Sequence, residues 1–478
     1  MLFNSFSFFV FFPVVTSLYF LLPHKYRWAL LLGASCLFYM AFIPYYILIL
    51  FLTIGIDYFA GIKIEQSTGS RKKWYLIISI VSTCLVLIIF KYYNFFGANI
   101  QAIADFFHWN YSVKLLSIIL PIGLSFHTFQ SLSYVIEVYR GNQKAEYNFS
   151  IYSLYVMFYP QLVAGPIERP QNLLHQFYEK HLLDFNRISE GLKMMLFGFF
   201  KKMVIADNLA MYVNEVYGKV NLYDGHTLLL ATFFFSIQIY CDFSGYSDIA
   251  IGSAKVMGFK LMDNFKNPYM SLSIGEFWKR WHISLSTWFR DYVYIPLGGN
   301  RVSTFRLYFN LVFTFALSGF WHGANWTFII WGLIHGLSLA GSNLIEKFVK
   351  INFSTYIKRI SVLVVVFVSW IFFRANNLNE AFYIVKKSFI SIFAFNLNIN
   401  NILLPLYNYT SRTGIYLVFL ICLTLVLSAI EVVDYKYGLL KRINKSRPWI
   451  RYAIYVIAVL SIMNLGVTQE IKFIYFQF

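Results

Sequence analysis

Charged residues are scarce in this chain of 478 residues, where Asp, Glu, Lys and Arg together make up 13%. A soluble protein of ordinary composition carries about a quarter. No polar stretch is long enough to fold by itself, and apolar runs recur from the first residues almost to the last. The composition therefore excludes a soluble protein and predicts one integral membrane domain over residues 1–478.

Cysteine is also rare, and the motifs of several enzyme classes are missing. The four cysteines, Cys36, Cys84, Cys241 and Cys422, lie in apolar surroundings without metal-type spacing, so we interpret them as structural thiols. There is no HExxH, no CxxC pair and no acidic cluster, and hence we predict no metal site and no bound cofactor. The lack of a GxSxG elbow and of a P-loop argues against a serine hydrolase and an NTPase.

Acidic residues are fewer than basic ones, 22 against 40, which gives a net charge of +18. The basic residues are scattered through short loops between apolar runs, a pattern typical of cytoplasmic loops and not of a nucleic-acid surface. Placing the basic loops 24–27, 63–73 and 435–451 in the cytoplasm puts both termini outside. We therefore expect a multi-pass membrane protein, in contact with lipids and not with nucleic acid.

The apolar runs predict an all-α protein with about 11–13 membrane spans of roughly 20 residues each. Residues 191–301 differ from both ends, because apolar residues there are mixed with charges, Gly and Pro. Broken helices at membrane depth are tolerated only where protein buries them or where they line a cavity. The sequence thus predicts plain spans around a polar, irregular centre.

The longest uncharged run covers the 39 residues 307–345 and contains His322 and His335. A run of this length predicts two membrane spans, and an ionisable residue inside one is a candidate functional group. A neutral His322 could act as a general base that takes a proton from a hydroxyl, with Trp321, Asn325 or Trp326 as donors to an oxyanion. The alternative is a buried imidazole bonded to a neighbouring helix, which is the role that we predict for His335.

Residues 276–294 combine tryptophans with basic side chains. If this segment is one helix, Trp281, Leu285, Trp288 and Tyr292 share a face, which is typical of an amphipathic helix in the membrane interface. That interpretation leaves His282 unexplained.

Two further features remain open. The segments 158–170 and 238–248 place polar groups, among them Tyr240 and Asp242, in apolar surroundings, where they are either satisfied internally or line a cavity. The aromatic end of the chain is typical of an interfacial anchor, and Tyr475 is its only hydroxyl.

Four segments carry a family resemblance. They read Ala-Gly-Pro-Ile-Glu-Arg-Pro at 164–170, Tyr-Cys-Asp-Phe-Ser-Gly-Tyr at 240–246, Glu-Phe-Trp-Lys-Arg-Trp-His at 276–282 and Gly-Phe-Trp-His-Gly-Ala-Asn-Trp at 319–326. With them the chain resembles the membrane-bound O-acyltransferases of the alginate or peptidoglycan O-acetyltransferase type. The resemblance implies a ring of helices around a central funnel or tunnel, with a catalytic core at about 150–345 and an aromatic tail at 468–478.

The resemblance also implies roles for single residues. His322 matches the catalytic histidine, His282 matches the second motif histidine, and Tyr475 matches a tail tyrosine proposed to relay the acyl group. Acetyl-CoA is the implied cytoplasmic donor, and Lys279, Arg280 and Arg301 are candidate contacts for its phosphates. The full set of candidates for the substrate site or tunnel is Trp278, Lys279, Arg280, Trp281, Arg301, Trp321, Asn325, Tyr240 and Asp242.

The resemblance implies a protein of the bacterial cytoplasmic (inner) membrane. The implied acceptor is an extracytoplasmic polysaccharide, reached with the help of a separate SGNH-type partner protein. Heavy use of Phe, Ile, Lys and Asn is typical of an AT-rich genome, which slightly favours peptidoglycan over alginate or another exopolysaccharide. Two other functions fit the polytopic pattern. The chain could be a transporter or flippase of a lipid-linked sugar, or a membrane scaffold for a soluble acetylase.

Overall fold

The computed structural model describes residues 1–116, 121–348, 353–394, 397–467 and 473–476, with the side chains of residues 346–348 and 476 left out. Helices are the only regular elements in these ranges, which confirms the prediction of an all-α protein. The predicted tail lies partly outside them, at residues 468–472 and 477–478.

The α-helices are numbered in chain order. The first half contains α1 Phe6–Leu21, α2 His24–Met40, α3 Ile47–Glu65, α4 Gly69–Leu87, α5 Tyr93–Phe106, α6 Leu124–Arg140, α7 Phe149–Met157, α8 Tyr159–Leu162, α9 Pro170–Leu173, α10 Phe185–Phe199, α11 Asp207–Gly218 and α12 Gly225–Met257. The second half contains α13 Ile274–Arg280, α14 Ile283–Phe289, α15 Thr304–His322, α16 Trp326–Phe348, α17 Thr355–Arg374, α18 Leu378–Phe393, α19 Ile399–Leu403, α20 Thr413–Tyr437, α21 Leu439–Lys445 and α22 Pro448–Leu465.

Irregular turns interrupt several of these helices. In the part of the chain that the structure describes, π-helical segments occur at Ile88–Tyr92, which the sequence did not predict to be irregular, and at Phe200–Ala206 and Arg290–Tyr294, which fall within residues 191–301. Short 3₁₀ turns include Pro268–Met270 and, near the end of the chain, Ile474–Phe476. Because π-turns displace the residues that follow along the helix surface, they often mark functional regions.

Within the described ranges, seven helical segments are long and apolar enough to cross a membrane. They are Pro44–Glu65, Gly69–Phe106, Gly225–Met257, Trp326–Ile345, Thr355–Arg374, Thr413–Tyr437 and Pro448–Leu465. The polytopic class is thereby confirmed, and the number of 11–13 spans stays a prediction. Part of the difference has a simple cause, because a helix such as α1 has only 16 residues and falls short of a full crossing.

The chain divides into two compact units, one comprising Met1–Met195 with Ser247–Met262 and the other comprising Leu196–Tyr246 with Asp263–Phe478. In the first unit a buried carboxylate, Asp57 on α3, accepts hydrogen bonds from Ser79 and Thr83 on α4, at 2.6 and 3.1 Å. These bonds satisfy a polar group that would be costly to bury alone. The second unit contains both motif histidines.

The helices α15 and α16 form an antiparallel pair in the second unit, and glycine allows their close approach. A Cβ atom on Gly332 would lie 2.2 Å from the carbonyl oxygen of Phe315, and one on Gly319 would lie 2.2 Å from that of Phe328. Such small-residue contacts are typical of membrane helices, whose backbones pack closely. The pair lies where two spans are predicted for residues 307–345, and α16 is long and apolar enough to cross a membrane over Trp326–Ile345, whereas a crossing by α15 stays a prediction. His322 and His335 lie on different helices.

The structure corrects one sequence-based interpretation. Residues 276–294 do not form a single helix, because α13 ends at Arg280, α14 begins at Ile283, and a π-helical segment follows from Arg290. His282 lies at the break with backbone angles of φ 42° and ψ 54°. This left-handed conformation cannot continue a right-handed helix, so the expected common face of Trp281, Leu285, Trp288 and Tyr292 is wrong.

Candidate active site

His322 is the last residue of α15, and its side chain is buried, with 4% of its surface exposed. Gly323 follows in an extended conformation and turns the chain away. Four aromatic rings surround the imidazole, at centroid distances of 4.9 Å for Trp321, 5.0 Å for Trp331, 5.4 Å for Phe373 and 5.6 Å for Tyr475. The imidazole of His322 is thus packed among aromatic side chains.

His282 is completely buried at the break between α13 and α14. Its Nδ1 lies 3.1 Å from Oδ1 of Asn264, and its ring meets that of Phe243 edge to face at 4.6 Å. Burial lowers the pKa of His282 to about 3, because the charged form loses its hydration. The ring is therefore neutral at pH 7.

The tail residue Tyr475 lies against both histidines. Its ring centroid is 5.6 Å from that of His322 and 6.2 Å from that of His282, and it packs on Phe243 at 4.5 Å. Burial, with Asp242 as a second cause, raises the pKa of the Tyr475 hydroxyl above its ordinary value. The structure thus brings together the three residues that the resemblance singled out.

A buried ion cluster holds the tail in this position. The backbone N–H of Ile474 donates to Oδ2 of Asp242, at 2.8 Å. The other carboxylate oxygen of Asp242 lies 2.6 Å from Nζ of Lys202, which also donates to Asp207 at 2.7 Å. All three side chains of the cluster are at most 4% exposed. Such a charge is tolerated at depth when it is paired and hydrogen-bonded.

Trp331, His335 and Trp278 form a chain of ring contacts that begins at His322. The Trp331 ring contacts His322 and, at 5.1 Å, His335, while Trp278 meets His335 edge to face at 5.0 Å. His335 bonds to Ser369 through Nε2, at 2.9 Å, in agreement with the predicted structural role. The indole N–H groups of Trp278 and Trp331 are buried and have no acceptor in the described part of the chain.

Other candidate residues have structural partners of their own. Trp281 packs against Trp370 at 5.0 Å, and the Tyr240 hydroxyl donates to Glu431 at 2.7 Å. Asn325 caps α16, since its Oδ1 accepts from the N–H of Thr327 and its Nδ2 donates to the carbonyl of Asn376. The amide of Asn325 is therefore engaged away from the imidazole of His322.

The three basic candidates differ in their surroundings. Arg280 is partly buried, pairs with Glu276 at 2.8 Å and donates to the carbonyl oxygen of Lys266. Lys279 and Arg301 are both exposed. No group of three or more His, Cys, Asp or Glu side chains suited to a metal ion occurs in the described ranges.

Sequence reasoning missed several residues of this site, namely Lys202, Asp207, Phe243, Asn264, Trp331 and Phe373. Lys202 carried a usable signal, because a lysine in an apolar stretch must find a partner. Asn264 carried none, since an asparagine between apolar segments is typical of an ordinary loop. The contacts of the three aromatic residues depend on helix packing, which the sequence does not reveal.

Comparisons with known proteins agree with this architecture. Residues 145–385 match the MBOAT, membrane-bound O-acyltransferase family. The chain is 42% identical to "Probable alginate O-acetylase AlgI" of Pseudomonas aeruginosa, over 81% of this chain and 75% of that protein. It is 38% identical to the protein of the same name from Pseudomonas putida, over the full length of both. It is 36% identical to the peptidoglycan O-acetyltransferase of Helicobacter pylori, over 74% of this chain and 72% of that protein.

The chain is thus a multi-pass, all-helical membrane protein related to bacterial acetylases. It belongs to the membrane-bound O-acyltransferase family, which confirms the predicted family and enzyme class. The transporter and scaffold alternatives do not share this support.

Proposed function

We propose that this protein moves an acetyl group from cytoplasmic acetyl-CoA across the membrane for O-acetylation of an extracytoplasmic polysaccharide. The observation that carries the proposal is the position of Tyr475, whose ring contacts both His322 and His282 in a buried aromatic pocket. A hydroxyl and two imidazoles at one place are the groups that an acyl transfer through a tyrosine ester requires.

In the first step the Tyr475 oxygen attacks the thioester carbonyl of the donor. Because the pKa of this hydroxyl is raised, it needs a base, and His322 accepts its proton as the new C–O bond forms. The tetrahedral intermediate then collapses with cleavage of the C–S bond. The leaving thiolate takes the proton back from the imidazolium, so that coenzyme A leaves as a thiol and the acetyl group remains on Tyr475.

In the second step a hydroxyl of the acceptor attacks the carbonyl of the tyrosine ester. The proton of this hydroxyl passes to His322, the C–O bond to the tyrosine breaks, and the phenolate takes the proton. The enzyme returns to its starting state with one acetyl group transferred. The donor's binding energy and the exclusion of water favour transfer over hydrolysis of the ester.

Both steps develop negative charge on the carbonyl oxygen, and Trp331 is our candidate for stabilising it. Its buried N–H has no acceptor in the described ranges, and its ring lies 5.0 Å from that of His322. A fixed donor in a dry site stabilises an oxyanion far more than the same donor in water. We prefer Trp331 to Asn325, which is one of the three donors that the sequence suggests, because the amide of Asn325 is used at the start of α16.

The donor phosphates need cationic contacts, and we assign them to Lys279 and Arg301, which are both exposed. Arg280 is less suitable for binding phosphate, because its guanidinium already forms an ion pair with Glu276. We further propose an SGNH-type partner outside the membrane, since a membrane-embedded tyrosine ester does not by itself reach along a polymer. We also propose that both termini lie outside, which the basic loops at 63–73 and 435–451 support because such loops are typical of the cytoplasmic side.

For the acceptor we propose an extracytoplasmic polysaccharide, with an alginate-type exopolysaccharide to be tested first and peptidoglycan second. The composition slightly favoured peptidoglycan, but the proteins named as alginate O-acetylases are 42% and 38% identical to this chain, compared with 36% for the peptidoglycan enzyme. Sequence identity to these enzymes supports an acceptor more strongly than an amino-acid composition that reflects an AT-rich genome.

The deciding experiment replaces the proposed base. We expect His322→Ala to abolish polymer O-acetylation in cells that produce normal amounts of the membrane protein. His175→Ala is a matched control, because His175 is an exposed histidine that pairs with Glu179. Wild-type acetylation in the His322→Ala strain would refute the proposal, whereas loss in both variants would point to a folding defect and call for the milder His322→Gln.

A further inference from the structure

The side-chain oxygen Oδ1 of Asn264 makes three hydrogen bonds, one of them to His282. This oxygen lies 3.1 Å from Nδ1 of His282, 2.9 Å from the hydroxyl of Ser284 and 3.3 Å from the backbone N–H of Ser284. The backbone carbonyl oxygen of Asn264 accepts a further hydrogen bond from the backbone N–H of Ile283, at 3.0 Å. Asn264 is 1% exposed, so these bonds form away from solvent.

These contacts determine the tautomer of His282. A backbone N–H can only donate, so the atom of Asn264 that faces Ser284 must be the amide oxygen and not the amide nitrogen. An oxygen can only accept from the imidazole, and therefore Nδ1 carries the hydrogen. In a neutral ring the lone pair then resides on Nε2, the nitrogen on the other side of the ring.

The backbone of His282 points to the same constraint. Its φ of 42° is rare for a residue with a side chain and costs energy, so it persists only where the surroundings enforce it. The bond between Ile283 and Asn264 and the bonds to Ser284 together hold this turn. Strain of this kind gathers where a side chain must be aimed.

We propose that Asn264 is a positioning residue that holds His282 as the Nδ1-protonated tautomer, with Nε2 as a hydrogen-bond acceptor for the Tyr475 site. The inference rests on the proposed acyl transfer. Tyr475 on the tail is a titratable group in ring contact with His282, and Asp242, which is paired with Lys202, is the neighbour of its ring contact Phe243 on α12. The same helix carries Tyr240, Cys241 and Tyr246, and α13, which ends just before His282, carries the Glu276–Arg280 pair and the exposed Lys279. A lone pair on Nε2 can accept a hydrogen bond from a hydroxyl group in the site, which the other tautomer, with its hydrogen on Nε2, cannot do.

The test uses the purified full-length protein in lipid nanodiscs, with acetyl-CoA as donor and an alginate oligosaccharide as acceptor, and measures release of the coenzyme A thiol and acetylation of the oligosaccharide. We expect Asn264→Ala to lower kcat about 10- to 100-fold while the KM for acetyl-CoA changes less than twofold, because the residue acts on the proton and not on the donor. Asn310→Ala is the matched control, since Asn310 is equally buried but bonds to the carbonyl oxygens of Leu297 and Gly299.

The conservative variant Asn264→Asp separates positioning from packing. Its carboxylate still accepts from Nδ1, so we expect most of the activity to return at pH 8. The negative charge of this carboxylate also stabilises the imidazolium and thereby raises the pKa of His282. As the pH is lowered, Asn264→Asp should therefore lose activity at a higher pH than the wild type does. If Asn264→Ala does not fold, this variant alone decides the question.

Two results would overturn the inference: wild-type kcat in Asn264→Ala, or an Asn264→Asp protein that is folded and as inactive at pH 8 as Asn264→Ala. A His322→Ala sample in the same assay keeps the two proposals apart. If it remains active, the acyl-transfer proposal itself fails. If it is inactive while Asn264→Ala is fully active, only the positioning role is lost.

Discussion

The ring of Tyr475 lies 5.6 Å from that of His322, although 152 positions separate the two residues along the chain (475 minus 322, less one). The tail therefore packs against the end of α15. Hydrophobic packing alone would accept a phenylalanine at this position, so the hydroxyl requires a separate explanation. The proposed ester supplies one.

Tyr475→Phe tests this explanation directly. The substitution keeps the ring contacts with Phe243 and His322 but removes the nucleophilic oxygen. We expect acetyl transfer to be abolished with an unchanged unfolding temperature, and we expect no acetylated tail peptide by mass spectrometry. Wild-type transfer by Tyr475→Phe would show that the acceptor attacks the donor directly.

The tail itself should depend on Asp242. The bond from the Ile474 N–H to this carboxylate involves a charged acceptor, and its loss costs about 1.5–3 kcal/mol. This corresponds to a roughly 10- to 100-fold larger undocked fraction. We expect Asp242→Leu to release the tail, whereas Asp242→Asn keeps an acceptor oxygen and has an intermediate effect.

The undocked fraction can be read from cysteine labelling. Phe473 is 1% exposed, so a Phe473→Cys substitution in a background without the four native cysteines should react slowly with a maleimide. Labelling should become faster in Asp242→Leu and stay slow in the control Asp263→Asn, which alters an exposed ion pair with Lys266. Equal rates in all three proteins would contradict the anchoring role.

The sequence revealed the chemical groups of this site but not how they meet. His322 stood out because an ionisable residue in an uncharged run is costly, and His282 because an amphipathic interfacial helix does not account for it. The break at His282 escaped sequence analysis, because residues 276–294 have a good helical period and the left-handed turn is imposed by Asn264, a tertiary contact. The same holds for the tail, whose anchor is a buried carboxylate far away in the chain.

Trp331 offers a test of transition-state stabilisation. Trp331→Phe keeps an aromatic ring between His322 and His335 but removes the buried N–H. If this group stabilises the oxyanion, kcat should fall about 10²- to 10³-fold with little change in the KM for acetyl-CoA. Trp288→Phe is the control, as a buried tryptophan of α14 that packs on Phe289 and Tyr292. Equal rates for the two variants would remove Trp331 from the mechanism.

The close packing of α15 and α16 should be as important for His322 as its direct neighbours. A Cβ atom on Gly332 would lie 2.2 Å from the backbone oxygen of Phe315, and backbone cannot yield as a flexible side chain can. Gly332→Ala must therefore push the helices apart, at a cost of about 1–3 kcal/mol. We expect a lower unfolding temperature and reduced acetyl transfer.

Gly341→Ala is the matched control on the same helix, because nothing lies within 4 Å of the position that its Cβ would occupy. Alanine there should be neutral or slightly stabilising, since it is the better helix former. A Gly332→Ala protein that unfolds at the same temperature as Gly341→Ala would mean that the two helices can separate without loss. The position of His322 would then depend on its aromatic neighbours and on the tail, and no longer on the contact between the helices.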